Sequence, residues 1–250
     1  MPILELAQRQ NLLHRRSEPQ TILRHTVEDV RTGRVAMVSS FGAYSVVLLH
    51  MLSCLDTSVP VLFIDTQMLF PETLKYQKEV AEFLGLKDVR VISPDRPVLM
   101  NRDIDSRLHQ SNPDACCSLR KTDPLAKALQ GFDTWISGRR RSQGGERAGL
   151  NIFEREEGRL KVNPLATWNK DHIRHYISQH RLPRHPLLEK GYPSIGCQPC
   201  TTRVRDGEDE RAGRWRGTEK TECGIHNGPK AYPNGNTEVV PSFRTGLQRI

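Results

Sequence analysis

The chain has 250 residues, 36% hydrophobic and 26% charged, a balance that suits one substantial folded domain and excludes a disordered polymer. Lys and Arg number 37 against 29 Asp and Glu, a formal net charge of +8, which admits nucleic acid, an acidic partner or a small anionic substrate. No apolar run reaches about 18 residues, which excludes a membrane-spanning helix, and Met1–Glu5 lacks a basic region leading into an apolar core, so no secretory signal is expected and the cytoplasm is the default location.

Residues 1–20 are polar without a clear period and read as a loosely held N-terminal arm or short helix. Thr21 to Arg31 has helical spacing, with Gly33 as its stop. Val35–Val38 is a short buried-type strand that runs into Ser39-Ser40-Phe41-Gly42-Ala43, and a helix follows from Tyr44 to about Leu55. Val61–Ile64 is a second strand, ending at Asp65-Thr66. Pro71 opens a helix at a first-turn position, where its missing N–H does no harm, and that helix runs to Leu84. Val89–Ile92 is a third strand, and Thr134–Ser137 a further one that enters Gly138-Arg139-Arg140-Arg141. Asn151–Phe153 and Leu160–Val162 flank the turn-like Glu156-Glu157-Gly158 as a hairpin, and Asn169 caps a helix to about His180. Strand and helix alternating at this spacing predict an α/β fold with a parallel-type sheet and helices on both faces. The organisation expected is an arm over 1–20, one α/β domain over 21–216 and a flexible C-terminal tail over 217–250.

In an open α/β sheet a ligand belongs at the C-terminal ends of the strands, which puts Ser39–Gly42, Asp65-Thr66 and Gly138–Arg140 on one rim. Small residues over Ser39–Ser45 let backbone N–H groups approach an anion at a helix N-terminus, and Ser39, Ser40 and Ser45 add hydroxyls. No Gly-Lys-Ser/Thr follows, so this is not a Walker loop, and an ordinary βα turn would read the same way. Arg139 and Arg140 follow a strand and can point at this crevice, where a guanidinium fork suits phosphate or sulfate; Arg141 reads as solvated surface. Arg203, Arg205, Arg211, Arg214 and Arg216 are interleaved with Asp206, Glu208, Asp209 and Glu210, a self-neutralised pattern that argues against a duplex-binding face.

The six cysteines, with no export route visible, are expected as thiols or metal ligands. Cys116-Cys117 and Cys197-Gln198-Pro199-Cys200 make two close pairs suited to a four-thiolate site. Adjacent cysteines fit one small ion poorly and a cubane better, so the spacing leans to [4Fe–4S] over zinc; a thioredoxin-like redox pair is the alternative. Lys121, one turn beyond Cys117, can face that region. Cys54 reads as a core residue on an apolar helix face. Cys223, alone in Glu222-Cys223-Gly224-Ile225-His226, is left over and reads as a nucleophile carried by a mobile segment.

Taken together, these residues resemble the assimilatory adenylyl-sulfate (APS) reductases of the sulfonucleotide reductase family over about residues 35–226. The resemblance rests on Ser39–Ser45, Asp65-Thr66 with Pro71-Glu72-Thr73, Cys116–Lys121, Trp135–Arg140, Cys197–Cys200, Arg211–Trp215 and Glu222–His226. It implies an adenine-nucleotide α-hydrolase-like fold of five parallel-type strands, and a [4Fe–4S] cluster on Cys116, Cys117, Cys197 and Cys200 that aids electrostatics and assembly without passing electrons to substrate. It further implies Lys121 between cluster and substrate sulfate, Arg211 and Arg214 on the sulfate and phosphate, Arg139 and Arg140 in an arginine loop, and Leu69 reading adenine through its backbone. Two departures stand out: Tyr44 occupies a position usually acidic in the family, and Gln67-Met68-Leu69-Phe70 replaces a Gly-Arg-Leu-polar pattern.

The activity implied is reduction of APS to sulfite and AMP in sulfate assimilation, on the way to cysteine. Cys223 would attack the sulfate sulfur, and thioredoxin or another dithiol protein would release sulfite from the S-sulfocysteine. His226 could assist as a base or lie as a surface histidine. The 3′-phosphorylated nucleotide PAPS is the nearest rival substrate. A zinc-binding nucleic-acid module leaves Cys223 and the anion loop unexplained, and an ATP-using thiolation enzyme calls for a Gly-Gly-x-Asp-Ser loop absent here. No nucleic acid or membrane partner is expected, and homo-oligomerisation is left open.

Overall fold

In the computed structural model, which describes residues 2–226, strands β1 (Val35–Ser39), β2 (Val61–Ile64), β3 (Val89–Ile92), β4 (Thr134–Ile136), β5 (Phe153–Glu156) and β6 (Arg159–Val162) form one sheet in the order β3-β2-β1-β4-β6-β5. Five strands run parallel, and β5 closes one edge antiparallel to β6 with Phe153 opposite Val162. The predicted parallel sheet and its hairpin are both present. The strand order reverses around β1, so the crevice above β1 and β4 is where a ligand is expected.

The helices are α1 (Ile3–His14), α2 (Pro19–Glu28), α3 (Ser45–Ser53), α4 (Pro71–Phe83), α5 (Arg96–Arg102), α6 (Leu108–Ser111), α7 (Pro113–Cys117), α8 (Asp123–Ala128), α9 (Lys170–Gln179) and α10 (Pro186–Glu189). The all-apolar Val61–Ile64 is buried throughout, as a central parallel strand must be. The core on one side of the sheet is built from Val46, Val47 and Leu49 of α3, Tyr76 and Val80 of α4 and Ile173 of α9. The other side is closed by Leu125 and Leu129 against Leu62, Ile64 and Trp135. Asn169 caps α9 as expected, its Oδ1 accepting from the N–H groups of Asp171 and His172 at 3.0 Å.

One expectation about the ends of elements is narrowed and one is corrected. Of the two readings of the N-terminal segment, arm or short helix, the structure shows the helix: α1 buries Leu6, Ala7 and Gln10, and Asn11 clips the edge strand by donating to Phe153 O at 2.7 Å and accepting from Phe153 N at 3.0 Å. Cys54 is not a core residue: it caps the C-terminus of α3 and is exposed, 3.7 Å from His50 Nε2.

The segment from α7 to α8 is one helix with a fault in it. Ser118–Thr122 winds as a π-helix just ahead of Pro124. A proline ring crowds the carbonyl four residues back and removes one ladder hydrogen bond, and widening the turn relieves both. The fault sets neighbouring side chains to different tasks. Arg120, 3% exposed, pairs with Asp103 through Nε at 3.0 Å and Nη2 at 2.6 Å, and its Nη1 donates to Thr66 O at 3.0 Å. Lys121 turns instead toward the cavity above the sheet.

Candidate active site

A cavity of about 230 Å³ lies over the C-terminal ends of β1 and β4. Ser39, Ser40, Gly42 and Tyr44 line it from the β1–α3 loop, and Gly138, Arg139 and Arg140 from the loop after β4. Lys121, Leu69, Arg211, Arg214 and Cys223 also line it, so two of the three predicted rim segments come together here, while Asp65 and Thr66 do not line the cavity. Six cationic side chains, Lys121, Arg139, Arg140, Arg147, Arg211 and Arg214, line this one cavity.

The loop after β1 is made tight by Phe41, held at φ 45° and fully buried with its ring edge-on to Phe63. Its hydrogen bonds modify the anion-loop expectation. Gly42 N–H donates to Ser45 Oγ at 3.0 Å and to Ser40 Oγ at 3.3 Å, and Phe41 N–H to Ser39 Oγ at 3.2 Å. These two amides are satisfied inside the loop, and the loop also offers a ligand hydroxyl hydrogens on Ser39, Ser40 and Ser45.

The two arginines after β4 part company. Arg139 turns its Nη2 to Glu154 on the edge strand, while Arg140, 2% exposed, lies 5.4 Å from the Tyr44 ring centroid and faces the cavity. Burial pushes both guanidinium groups down from their ordinary value, partly offset by Glu154 at Arg139 and by Glu210 at Arg140. Arg141 donates from Nε to Leu150 O at 2.7 Å and lies outside the cavity.

Arg214 lies flat on Trp215, 4.4 Å above the ring centroid, and its buried Nε has no hydrogen-bond partner among the described residues. It fits because position 196 is glycine: a Cβ there would stand 2.3 Å from Arg214 Nη2. The segment carrying it is stitched to the C-x-x-C loop by a bridge between Thr201 and Arg214, with Trp215 N–H donating to Cys200 O at 3.0 Å. The same loop is tied to the β2–α4 turn by a bridge between Leu69 and Cys197, by Gln198 N–H to Met68 O at 2.8 Å, and by a Thr66 Oγ1 to Cys197 Sγ contact of 3.2 Å. Leu69 lines the cavity, and the bond closing its bridge joins its neighbours, not its own amide.

Cys116, Cys117, Cys197 and Cys200, with Lys121 and Arg120, surround a small void next to the main cavity. All four are free thiols, and burial, first of all, pushes Cys116 up to about 11 and Cys200 upward. Among the described residues no three Cys, His, Asp or Glu side chains converge to hold a single metal ion. Four sulfurs spread around a void, with a cation beside them, suit a larger thiolate-bound group better than one tetrahedral ion.

Cys223 is 9% exposed and packs with Cys117 and Trp215. A hydrogen bond from Cys117 lowers its thiol well below the ordinary value; burial opposes this, and Lys121, the Ile225 N–H and Arg214 add to it. Lys121 answers in kind: burial would lower it, but Cys197, Cys223 and Cys117 hold it above its usual value. The expected tail is thus docked over residues 217–226, and the remainder, 227–250, lies outside the described residues, as does the side chain of His226.

What docks it was not singled out from the sequence. Arg147 forks onto Glu222 through Nε at 2.5 Å and Nη2 at 2.8 Å; Arg211 Nη2 adds a bond to Glu222 at 3.3 Å and one to Thr221 O at 3.0 Å. Glu222 Oε1 in turn accepts from Cys223 N at 2.9 Å, and Lys220 pairs with Asp114 on α7. A partner 75 residues away leaves no local signal; the one available clue was an acidic residue set directly before a lone cysteine. Chemically, the arrangement places a thiolate among cations in a cavity able to hold a polyanion, the geometry for nucleophilic attack with departure of an anionic leaving group.

Residues 34–203 match the family model described as the phosphoadenosine phosphosulfate reductase domain. The chain is 45% identical over 209 residues to the adenosine 5′-phosphosulfate reductase of Mesorhizobium japonicum, covering 84% of this chain and 82% of that one. It is 40% identical over 198 residues to the phosphoadenosine 5′-phosphosulfate reductase of Gloeobacter violaceus, covering 77% and 82%. Among solved structures, phosphoadenylyl-sulfate reductase from Candida auris in its phosphate complex superposes with a TM-score of 0.68 at 29% identity, over 80% of this chain and 97% of that one. FMN adenylyltransferase from Candida glabrata, at 18% identity, TM-score 0.55 and 88% and 77% coverage, shares the fold alone.

Proposed function

The chain belongs to the phosphoadenosine phosphosulfate reductase domain family, and from that premise we propose that it is an oxidoreductase acting on sulfur that reduces adenosine 5′-phosphosulfate (APS) to sulfite and AMP in sulfate assimilation. Thioredoxin or a similar dithiol protein is the electron donor, and the cytoplasm is the place of action. The observation that carries the reading is Cys223 buried against Lys121 and Arg214 at one end of a cation-lined cavity.

In the first step the Cys223 thiolate attacks the sulfate sulfur of APS. The bond from sulfur to the bridging oxygen breaks, and AMP leaves with the electron pair. Lys121 and Arg214 hold the sulfo oxygens, while Arg140, Arg211 and the serine hydroxyls of the β1–α3 loop receive the charge that develops on phosphate. Cys223 is left as S-sulfocysteine. In the second step a donor thiolate attacks Cys223 Sγ, sulfite departs with the sulfur–sulfur electron pair, and the donor's second thiol resolves the mixed disulfide. The dithiol loses two electrons, and sulfur passes from the sulfate to the sulfite level. Because docked Cys223 is 9% exposed, the second step requires residues 217–226 to lift away first.

Cys116, Cys117, Cys197 and Cys200 would hold a [4Fe–4S] cluster. Bound there, it supplies charge beside Lys121 and a brace between α7 and the C-x-x-C loop. Leu69 offers an apolar wall and Met37, Val38 and Trp135 a further one for adenine.

The test is sulfite release from APS with thioredoxin, by wild type and Cys223→Ser, with mass spectrometry for a covalent sulfo adduct after APS alone. Turnover by the serine variant, or no adduct on the wild type, refutes the reading; faster turnover of PAPS corrects the substrate.

A further inference from the structure

A second cavity of about 170 Å³ opens off the nucleotide pocket and shares Tyr44, Arg140, Gln143, Pro193, Ser194 and Arg211 with it. Lys121, Arg214 and Cys223 belong to the first cavity and not to this annex, which instead adds Lys170, Asp209 and Glu210. Attack at sulfur fixes the sulfate end of the substrate beside Cys223, so the annex receives what projects from the remote part of the nucleotide.

Its charges are arranged around one carboxylate. Glu210 Oε1 accepts from Tyr44 OH at 3.2 Å and pairs with Lys170 Nζ at 2.6 Å. Arg140, buried and stacked on Tyr44, feels the Glu210 charge but does not pair with it. Asp209 accepts from the backbone N–H of Arg211 at 2.8 Å, and the Arg211 guanidinium is turned to Glu222. Without Glu210, Arg140 and Lys170 would face each other across a site fit for phosphate. With it, Lys170 is neutralised and a phosphate reaching past Arg140 into the annex meets a carboxylate in a half-buried cavity, where like charges repel strongly.

We propose that Glu210 sets the choice between a free ribose hydroxyl and a ribose phosphate: it makes the annex accept the 3′-hydroxyl of APS and reject the 3′-phosphate of PAPS. Tyr44 and Lys170 are its positioning residues. This rests on the sulfonucleotide reading above and deepens it. Relatives with 45% and 40% identity are named for different members of this substrate pair, so the discrimination has to reside in local contacts on a shared fold.

The experiment titrates full-length wild type, Glu210→Gln and Lys170→Met with AMP and with adenosine 3′,5′-bisphosphate, and measures kcat/KM on APS and PAPS. Glu210→Gln is expected to shift both ratios toward the 3′-phosphorylated ligand by roughly tenfold or more, the scale of relieving a like-charge juxtaposition. Lys170→Met, which strips Glu210 of its cation, shifts them the opposite way. Ratios unchanged in Glu210→Gln, or both variants moving in one direction, overturn the assignment; a uniform loss for both ligands, the signature of mere structural damage, counts against it too. Wild type that binds neither nucleotide and reduces neither substrate refutes the sulfonucleotide reading itself.

Discussion

Replacing Glu222 by Gln tests whether the docked position of Cys223 is held by charge. Burial alone would raise the Glu222 carboxyl, but Arg147, Arg211 and the Cys223 N–H overcome it and hold the group at about 2 against an ordinary 4.5. That difference corresponds to about 3 kcal/mol of interaction favouring the ionised form, in keeping with the 3–5 kcal/mol typical of removing one partner from a buried ion pair. If all of it falls on docking, residues 217–226 should be undocked about a hundred times more often. The assay is the alkylation rate of Cys223 by iodoacetamide, mapped by peptide mass spectrometry, with exposed Cys54 as internal reference. Modification of Cys223 at the wild-type rate in Glu222→Gln would falsify the latch. The acid limb supplies a second check. A depressed carboxylate gives stability that is complete above 4.5 and lost as pH falls toward about 2. Amide protection factors over 217–226, with the intrinsic pH dependence of exchange divided out, should therefore fall through that window in wild type and stay flat in the variant.

Asp103→Ala leaves Arg120 buried without its carboxylate, and urea unfolding should show a loss of about 3–5 kcal/mol. Gly196→Ala drives a methyl group into the Arg214 guanidinium, 2.3 Å from Nη2; with thermal stability near wild type, kcat/KM should fall roughly a hundredfold, the scale of displacing a positioning group by about 1 Å. Lys161, 1% exposed and 4.4 Å from the Trp135 ring centroid, is pushed down to about 8 by burial, with Arg139 adding and Glu156 and Glu154 opposing. The unfolded chain keeps that proton up to 10.5, so stability should rise between about pH 8 and 10.5 in wild type by up to about 3 kcal/mol. Lys161→Met should remove that rise in melting temperature; an identical pH profile in both proteins would refute the assignment.

The parts of the fold legible in the sequence were those written in local patterns. Val61–Ile64 reads as a buried strand because all four residues are apolar, and Asn169 reads as a cap because its side chain serves N–H groups two and three residues on. Helix α1 was legible only as one of two alternatives, since what orders it is a long-range clip from Asn11 to Phe153 and a Gln10 buried without an apolar stripe to announce it. Cys54 was misplaced because its position just past the last turn of α3 takes it off the apolar face. Arg139 and Arg140 looked equivalent after β4, and both line the cavity, yet consecutive residues in extended chain point to opposite sides, and the Arg139 guanidinium is taken up by Glu154 while Arg140 lies against Tyr44.

The choice of nucleophile follows the same division between local and tertiary signals. Composition offers six cysteines, and spacing separates Cys223 from the two close pairs, but spacing cannot say why this thiol is the one held ionised. The structure supplies first a hydrogen bond from Cys117, and then three arrangements that bring cations to the same place and that none of the motifs contains by itself. The π-turn ahead of Pro124 sends Arg120 to Asp103 and so leaves Lys121 to face the thiols. Gly196 lets Arg214 lie in the cavity wall, and the Arg147–Glu222 pair fixes the backbone of Cys223 beside both cations. Cys200 also has Lys121 and Arg214 for neighbours and is still driven up by burial, so the hydrogen bond from Cys117 is what sets Cys223 apart. In the proposed mechanism reactivity at Cys223 is accordingly conditional on docking: the contacts that lower its thiol are lost when residues 217–226 lift, which suits a residue proposed to attack as an anion in the cavity and afterwards to present an electrophilic sulfur outside it.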